Sequence, residues 1–200
     1  MIKSTLRFIK TALMMASFGF ITTNAFCNGT ITGTIDTNMP KYKGDAVVYL
    51  SGVKGPVVHE HKTIEQQSLT FVPKVTTIPV GSSIVFTNND KLNSGITSYS
   101  PAKKFNVDKL DSGVSKRLTF DKSGVVQLLS KPHAEMTGWV IVTNNQYAAV
   151  TEHDGKFTIP NVPAGTYEIS AWSEKLKTQG KTIVKVAEGK TAPVVLKMAI

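Results

Sequence analysis

His133 and Met136 stand three residues apart in the short polar loop Ser130-Lys131-Pro132-His133-Ala134-Glu135-Met136, which follows the apolar run Val125 to Leu129. An imidazole and a thioether on one loop are half the donor set of a blue-copper site. Such a site holds its metal with two imidazoles, one thiolate and a weak axial thioether. The thiolate is the soft, anionic donor that binds copper in both oxidation states and carries the electron. The head of this loop is Ser130, whose hydroxyl stays protonated at neutral pH and suits a soft metal poorly.

The other residues able to do chemistry are few. His59 and His61 are two apart in an extended segment, so their rings face the same side. With His133 they would make an exposed Cu(II) or Zn(II) site; solvated histidines in a linker are the plainer reading. His153 sits beside the Asp154-Gly155 turn and reads as a surface residue. Met136, taken alone, reads equally well as a core side chain. Enzyme chemistry finds no support. The chain has no Gly-x-Ser-x-Gly, no cysteine within its strand-forming region and no His/carboxylate cluster at metal-ligand spacing. Ser130 and His133 resemble a nucleophile and base in type only, and the chain is read as non-enzymatic.

Residues 1–25 read as an export signal. Lys3, Arg7 and Lys10 form a basic start, Thr11 to Ile21 an apolar stretch too short to span a bilayer, and Thr23-Asn24-Ala25 a small-residue cleavage signature. The expected location is periplasmic or secreted, with cleavage after Ala25 or Cys27 and no membrane-spanning segment thereafter. Cys27 is the single cysteine among 200 residues, so no intrachain disulfide can form. Its reading as a lipid anchor meets Phe26 where a small residue is wanted. Of the 23 basic residues, three lie in the leader, which leaves 20 against 14 acidic residues and a charge of +6. Arg117 is then the sole arginine and no basic-aromatic stripe exists, which argues against nucleic acid as a partner.

After the leader the chain shows no sustained 3.6-residue apolar period. Short alternating runs rich in β-branched residues are separated by Gly, Pro, Asn and Asp, the pattern of an all-β protein. Strands are expected at Thr30 to Ile35, Ala46 to Leu50, Leu69 to Val72, Val75 to Pro79 and Ser83 to Thr87. Residues 91–104 are expected to be irregular. Strands resume at Arg117 to Phe120, Val125 to Leu129, Trp139 to Val142, Tyr147 to Thr151, Lys156 to Ile159, Tyr167 to Trp172, Lys181 to Val186 and Ala192 to Met198. Asp154-Gly155 and Glu188-Gly189 read as hairpin turns.

Two resemblances organise these runs. Residues 68–142 resemble the cupredoxins, specifically the plastocyanin/amicyanin-like domains of methylamine-utilisation type. The matching motifs are Leu69-Thr70-Phe71-Val72-Pro73, Val80-Gly81 before Val85-Phe86-Thr87-Asn88-Asn89-Asp90, Ser98 to Phe105, and Phe120-Asp121-Lys122-Ser123-Gly124-Val125-Val126. Residues 147–198 resemble the carboxypeptidase-regulatory, transthyretin-like domain through Thr151-Glu152-His153-Asp154-Gly155-Lys156-Phe157-Thr158-Ile159 and its sequel to Tyr167. The strand pair that opens such a domain matches Gly29 to Ile35 and Asp45 to Leu50. The resemblance therefore implies two β-sandwiches: a discontinuous regulatory-like one (28–55 and 144–200) and a cupredoxin-like Greek-key sandwich (56–143) inserted into it. Two sandwiches in tandem are the alternative.

The amicyanin-like pattern also implies a ligand set. It carries Cys-x-x-His-x-x-Met on one loop and a first His four residues after the Asp that ends an earlier strand. Here His133 and Met136 keep their positions, Ser130 stands at the thiolate position and Ser94 at the first-His position; Lys74 replaces the family's frequent His after Phe-x-Pro. The resemblance then implies an exported, non-catalytic binding or structural module with a degenerate type 1 copper site and an envelope protein as partner. A residual copper or zinc protein using His133, Met136 and His59/His61 is the alternative. A blue-copper electron carrier fits least.

Overall fold

The computed structural model describes residues 28–131, 133 and 135–200. The leader and Cys27 lie outside the described residues. Among the described residues the fold is all-β, with seventeen strands and a single 3-10 turn at Pro40–Tyr42. Among the described residues no helix is long and apolar enough to cross a membrane.

The strands are β1 Gly29–Asp36, β2 Val47–Ser51, β3 His61–Gln67, β4 Thr70–Val72, β5 Val75–Pro79, β6 Ser83–Asn88, β7 Ser94–Ser98, β8 Phe105–Leu110 and β9 Ser115–Thr119. They continue as β10 Gly124–Ser130, β11 Thr137–Thr143, β12 Ala148–Val150, β13 Lys156–Val162, β14 Gly165–Trp172, β15 Lys177–Thr178, β16 Thr182–Val186 and β17 Thr191–Ala199.

Three sheets result. β4-β3-β6-β9 and β5-β11-β10-β7-β8 face each other, and β12-β2-β14-β15-β17-β1-β13 folds over itself with β16 on β14. The first two sheets enclose Ile64, Phe71, Ile84, Phe86, Ile96, Phe120, Val126 and Leu128. The third wraps a separate core that includes Ile31, Val48, Leu50, Ile159, Ile169 and Leu196. β1 and β2 thus share a sheet with β12 to β17, although β3 to β11 intervene in sequence.

A third, smaller core joins the two sandwiches. Val47, Val75 and Ile141 are buried there, with Tyr49, Val125, Trp139, Val150 and Trp172 packed against them. The Trp139 and Trp172 rings lie 5.2 Å apart at 52°. Lys74 Nζ also reaches Glu174 Oε2 across this contact at 3.2 Å. Burying an aliphatic side chain is worth about 1.5–3 kcal/mol, whereas an exposed ion pair contributes about 0–1. The joint is therefore held by apolar packing.

Several segments differ from the sequence expectation, which places no strand at β8 or β15. Residues 91–104 are not irregular throughout: Ser94–Ser98 is β7, buried along its whole length. Ile96 is its one large apolar residue. The strand forms because β8 and β10 pair with it on both sides. The segment holding His61 is likewise no linker. It is β3, which runs parallel to β6, with Ile64 and Gln66 turned inward.

Candidate functional site

The loop after β10 is positioned by alternation. Val126, Leu128 and Ser130 occupy the buried positions of β10, so Ser130 follows two core residues inward. β10 pairs antiparallel with β7, placing Ser130 beside Ile96. A bulge between Ser94 and Ile96 turns Ser94 toward the same spot. The result is a hydrogen bond between Ser94 Oγ and Ser130 Oγ at 3.2 Å, with both residues only 6% exposed. Gly95 sits at the bulge because a Cβ there would stand 2.6 Å from the Asp108 carbonyl oxygen.

Backbone bonds close the loop. The Ser130 N–H donates to the Met136 carbonyl at 3.2 Å, and the Met136 N–H donates to the His133 carbonyl at 2.9 Å. Met136 is 2% exposed and belongs to the core between the sheets. His133 is partly exposed, its Nδ1 3.8 Å from Glu135 Oε1.

Asn88 organises this end of the sandwich. Fully buried, it donates through Nδ2 to the carbonyls of Leu92 and Leu110, both at 2.8 Å, and its Oδ1 accepts from the Asp90 N–H at 3.0 Å. Leu110 is the cross-strand neighbour of Ser94, so Asn88 fixes the segment that presents that serine. Asp90 in turn accepts the N–H groups of Ser68 and Leu69, which both have positive φ in the β3–β4 turn. Asn88→Ala would strand the buried Leu110 carbonyl, at about 1–3 kcal/mol for a buried group left unpaired, free the partly buried Leu92 carbonyl and open a small cavity. The expected loss is about 3 kcal/mol in urea unfolding, with an unchanged m-value.

The remaining predicted residues do not join this cluster. His61 lies beside Ser83 at the start of β6, while Asn88 ends that strand five residues on, about 16 Å away at about 3.3 Å per residue. His59 and His61 therefore sit at the opposite end from His133, and the three-histidine site is not assembled. Both rings already have partners. His59 Nδ1 lies 3.2 Å from the Val80 carbonyl, which can only accept, so Nδ1 carries the proton. His61 Nδ1 lies 2.7 Å from Ser83 Oγ, and the Arg117 guanidinium reaches both that hydroxyl and the ring nitrogen. The Arg117 cation thus stands beside His61 Nδ1. Lys74 turns away to Glu174, and His153 is exposed. Among the described residues no group of three His, Cys, Asp or Glu side chains could hold a metal.

One polar side chain here escaped sequence reasoning. Gln66 is fully buried and its amide makes no hydrogen bond among the described residues. It is level with Phe71 and Asn88. A polar residue at an inward position of β3 would have marked it, had that strand been read as one.

A family model described as polysaccharide lyase family 4, domain II, matches residues 121–194, from the turn before β10 into β17. No curated protein matches the chain. Similar solved structures include a copper-containing nitrite reductase from Thermus scotoductus SA-01, 24% identical over 47% of this chain and 25% of that one, with a TM-score of 0.40. A purple cupredoxin from Nitrosopumilus maritimus is 24% identical over 41% of this chain and 99% of its own, at 0.37. An amicyanin variant in its Cu(I) form is 14% identical over 48% of this chain and 98% of its own, at 0.40. The chain is thus similar to cupredoxins over less than half its length and spans a quarter of the nitrite reductase. Likeness at this level carries no functional argument, which has to come from the side chains.

Proposed function

We propose that this protein is an exported, non-catalytic binding or structural module of the cell envelope, built on a cupredoxin-like scaffold whose copper position is closed by two serines. One contact carries this reading. Ser94 and Ser130 stand where the resemblance puts the first imidazole and the thiolate, and their hydroxyls bond to each other at 3.2 Å. Two neutral hydroxyls satisfying one another in a buried site are a substitute for a metal ion, and they offer no soft anionic donor. Met136 is packed as a core residue. The donor set does not fit type 1 copper.

The same reading treats residues 28–55 with 144–200 as one regulatory-like sandwich and 56–143 as its insertion, supported by the sheet that β1 and β2 share with β12 to β17. Export rests on the character of residues 1–25, and the partner on this view is an envelope protein.

Metal analysis and a visible spectrum of the purified protein test the reading. Substoichiometric copper and zinc and no copper–thiolate band are expected. Stoichiometric colourless metal that disappears in His133→Ala would replace it with a residual metal protein.

A further inference from the structure

We propose that the cleft between the two sandwiches is a binding site for a single neutral sugar ring of a glycan. The cleft encloses about 290 Å³ and opens where the small core joining the sandwiches comes to its edge. One wall is the end of β2 from Tyr49 to Ser51, with Gly52 after it and Trp172 of β14. The other is the start of β10 with residues 141–144 at the end of β11.

Its lining decides the ligand class. None of the twelve lining residues is charged, although 18% of the chain is. A phosphate, carboxylate or ammonium group would find no counter-charge there, so the ligand is neutral. Tyr49 and Trp172 supply two half-buried aromatic side chains, against which the C–H face of a sugar ring packs. The Tyr49 hydroxyl and the side chains of Ser51, Ser123 and Asn144 are neutral hydrogen-bonding groups. Sugar hydroxyls, which both donate and accept, match them. Thr143 is not among these free groups, because its hydroxyl lies 2.7 Å from the Asn145 carbonyl. Gly52 and Gly124, both at positive φ, line opposite walls and add no side chain to the cleft. The volume lies at the low end of the roughly 300–1,000 Å³ usual for small-molecule sites, which suits one ring. The site is independent of the copper position. Gly124 and Ser130 are at opposite ends of β10, about 20 Å apart at about 3.3 Å per residue.

The test is a titration of the purified protein with maltose, cellobiose, chitobiose and lactose, followed by tryptophan fluorescence and amide chemical shifts. Glucuronic acid and phenol serve as charged and planar aromatic comparators. A saturable response to at least one neutral disaccharide is expected, with shifts at residues 49–52, 123–125 and 141–144. The exposed pair Ser51→Ala with Asn144→Ala should weaken it about tenfold, the loss of one to two neutral hydrogen bonds, with the unfolding curve unchanged. Ser123→Trp should abolish it by filling the cleft. Four inert sugars, saturation by phenol or glucuronic acid alone, or a response untouched by these variants would each overturn the proposal.

Discussion

Ser94→His combined with Ser130→Cys is expected to give a protein that turns intensely coloured on adding Cu(II), through a copper–thiolate band absent from the parent and from the Ser94→His single variant. The two hydroxyls are 3.2 Å apart and buried, so donors installed there converge from β7 and β10. Met136 already lies on the adjoining loop, tied to Ser130 through its carbonyl. His133 is on the same loop, its carbonyl accepting the Met136 N–H at 2.9 Å. The hydroxyl pair lacks the soft anion; cysteine supplies it with little added bulk. The imidazole is larger than the serine it replaces, and overpacking of this kind costs about 1–3 kcal/mol. Bound copper offsets that cost, since a ligand at about 100 times its dissociation constant adds about 2.7 kcal/mol of stability. The double variant should therefore unfold earlier than the parent without metal and recover with it. A folded double variant that ignores copper would mean that the four positions do not face one point, and the degenerate-site reading would fail with it.

What the sequence disclosed about this site, and what it hid, follow from how each residue is held. β10 and its loop were legible because Val126, Leu128 and Ser130 alternate with more exposed residues before a polar turn. The run Trp139-Val140-Ile141-Val142 was legible as a strand, and its lack of alternation has a structural cause. Val140 and Val142 face the core between the two sheets, while Trp139 and Ile141 face the second sandwich. β7 was not legible. Its sequence Ser-Gly-Ile-Thr-Ser is buried by pairing on both edges, a long-range circumstance that leaves little local hydrophobic pattern. β3 escaped for a related reason: its inward positions are Ile64 and the polar Gln66. The two-residue spacing of His59 and His61 suggested a shared face, but it could not show that Val80, Ser83 and Arg117 engage their Nδ1 atoms at the end of the sandwich away from His133. The meeting of Ser94 with Ser130 spans 36 residues, and only the family resemblance pointed to it.

Replacing residues 52–145 by an Asn-Gly turn, with Val47→Thr and Val150→Lys on the face this uncovers, is expected to leave a folded, monomeric sandwich of residues 28–51 and 146–200. The segment to be removed leaves and returns at one place. Tyr49 pairs with Ala148, the Leu50 N–H donates to the Tyr147 carbonyl at 3.0 Å, and Asn145 Nδ2 donates to the Leu50 carbonyl at 2.9 Å. β2 and β12 are therefore already an antiparallel pair, and a two-residue type I′ turn is the short connection that suits their twist. The core of Ile31, Val48, Leu50, Ile159, Ile169 and Leu196 loses only the partly buried Val53 that packs against it, so its buried residues should survive the excision. The joint is what suffers. Val47, Tyr49, Val150 and Trp172 lose their cover from Val75, Trp139 and Ile141, and an apolar patch of this kind invites self-association. Val47→Thr with Val150→Lys should suppress that. The checks are a cooperative thermal transition, dispersed amide resonances and a monomeric mass. If β1 and β2 belonged instead to the cupredoxin-like half, as a tandem order requires, the excised chain would keep two strands with nothing to pair them and would show none of the three.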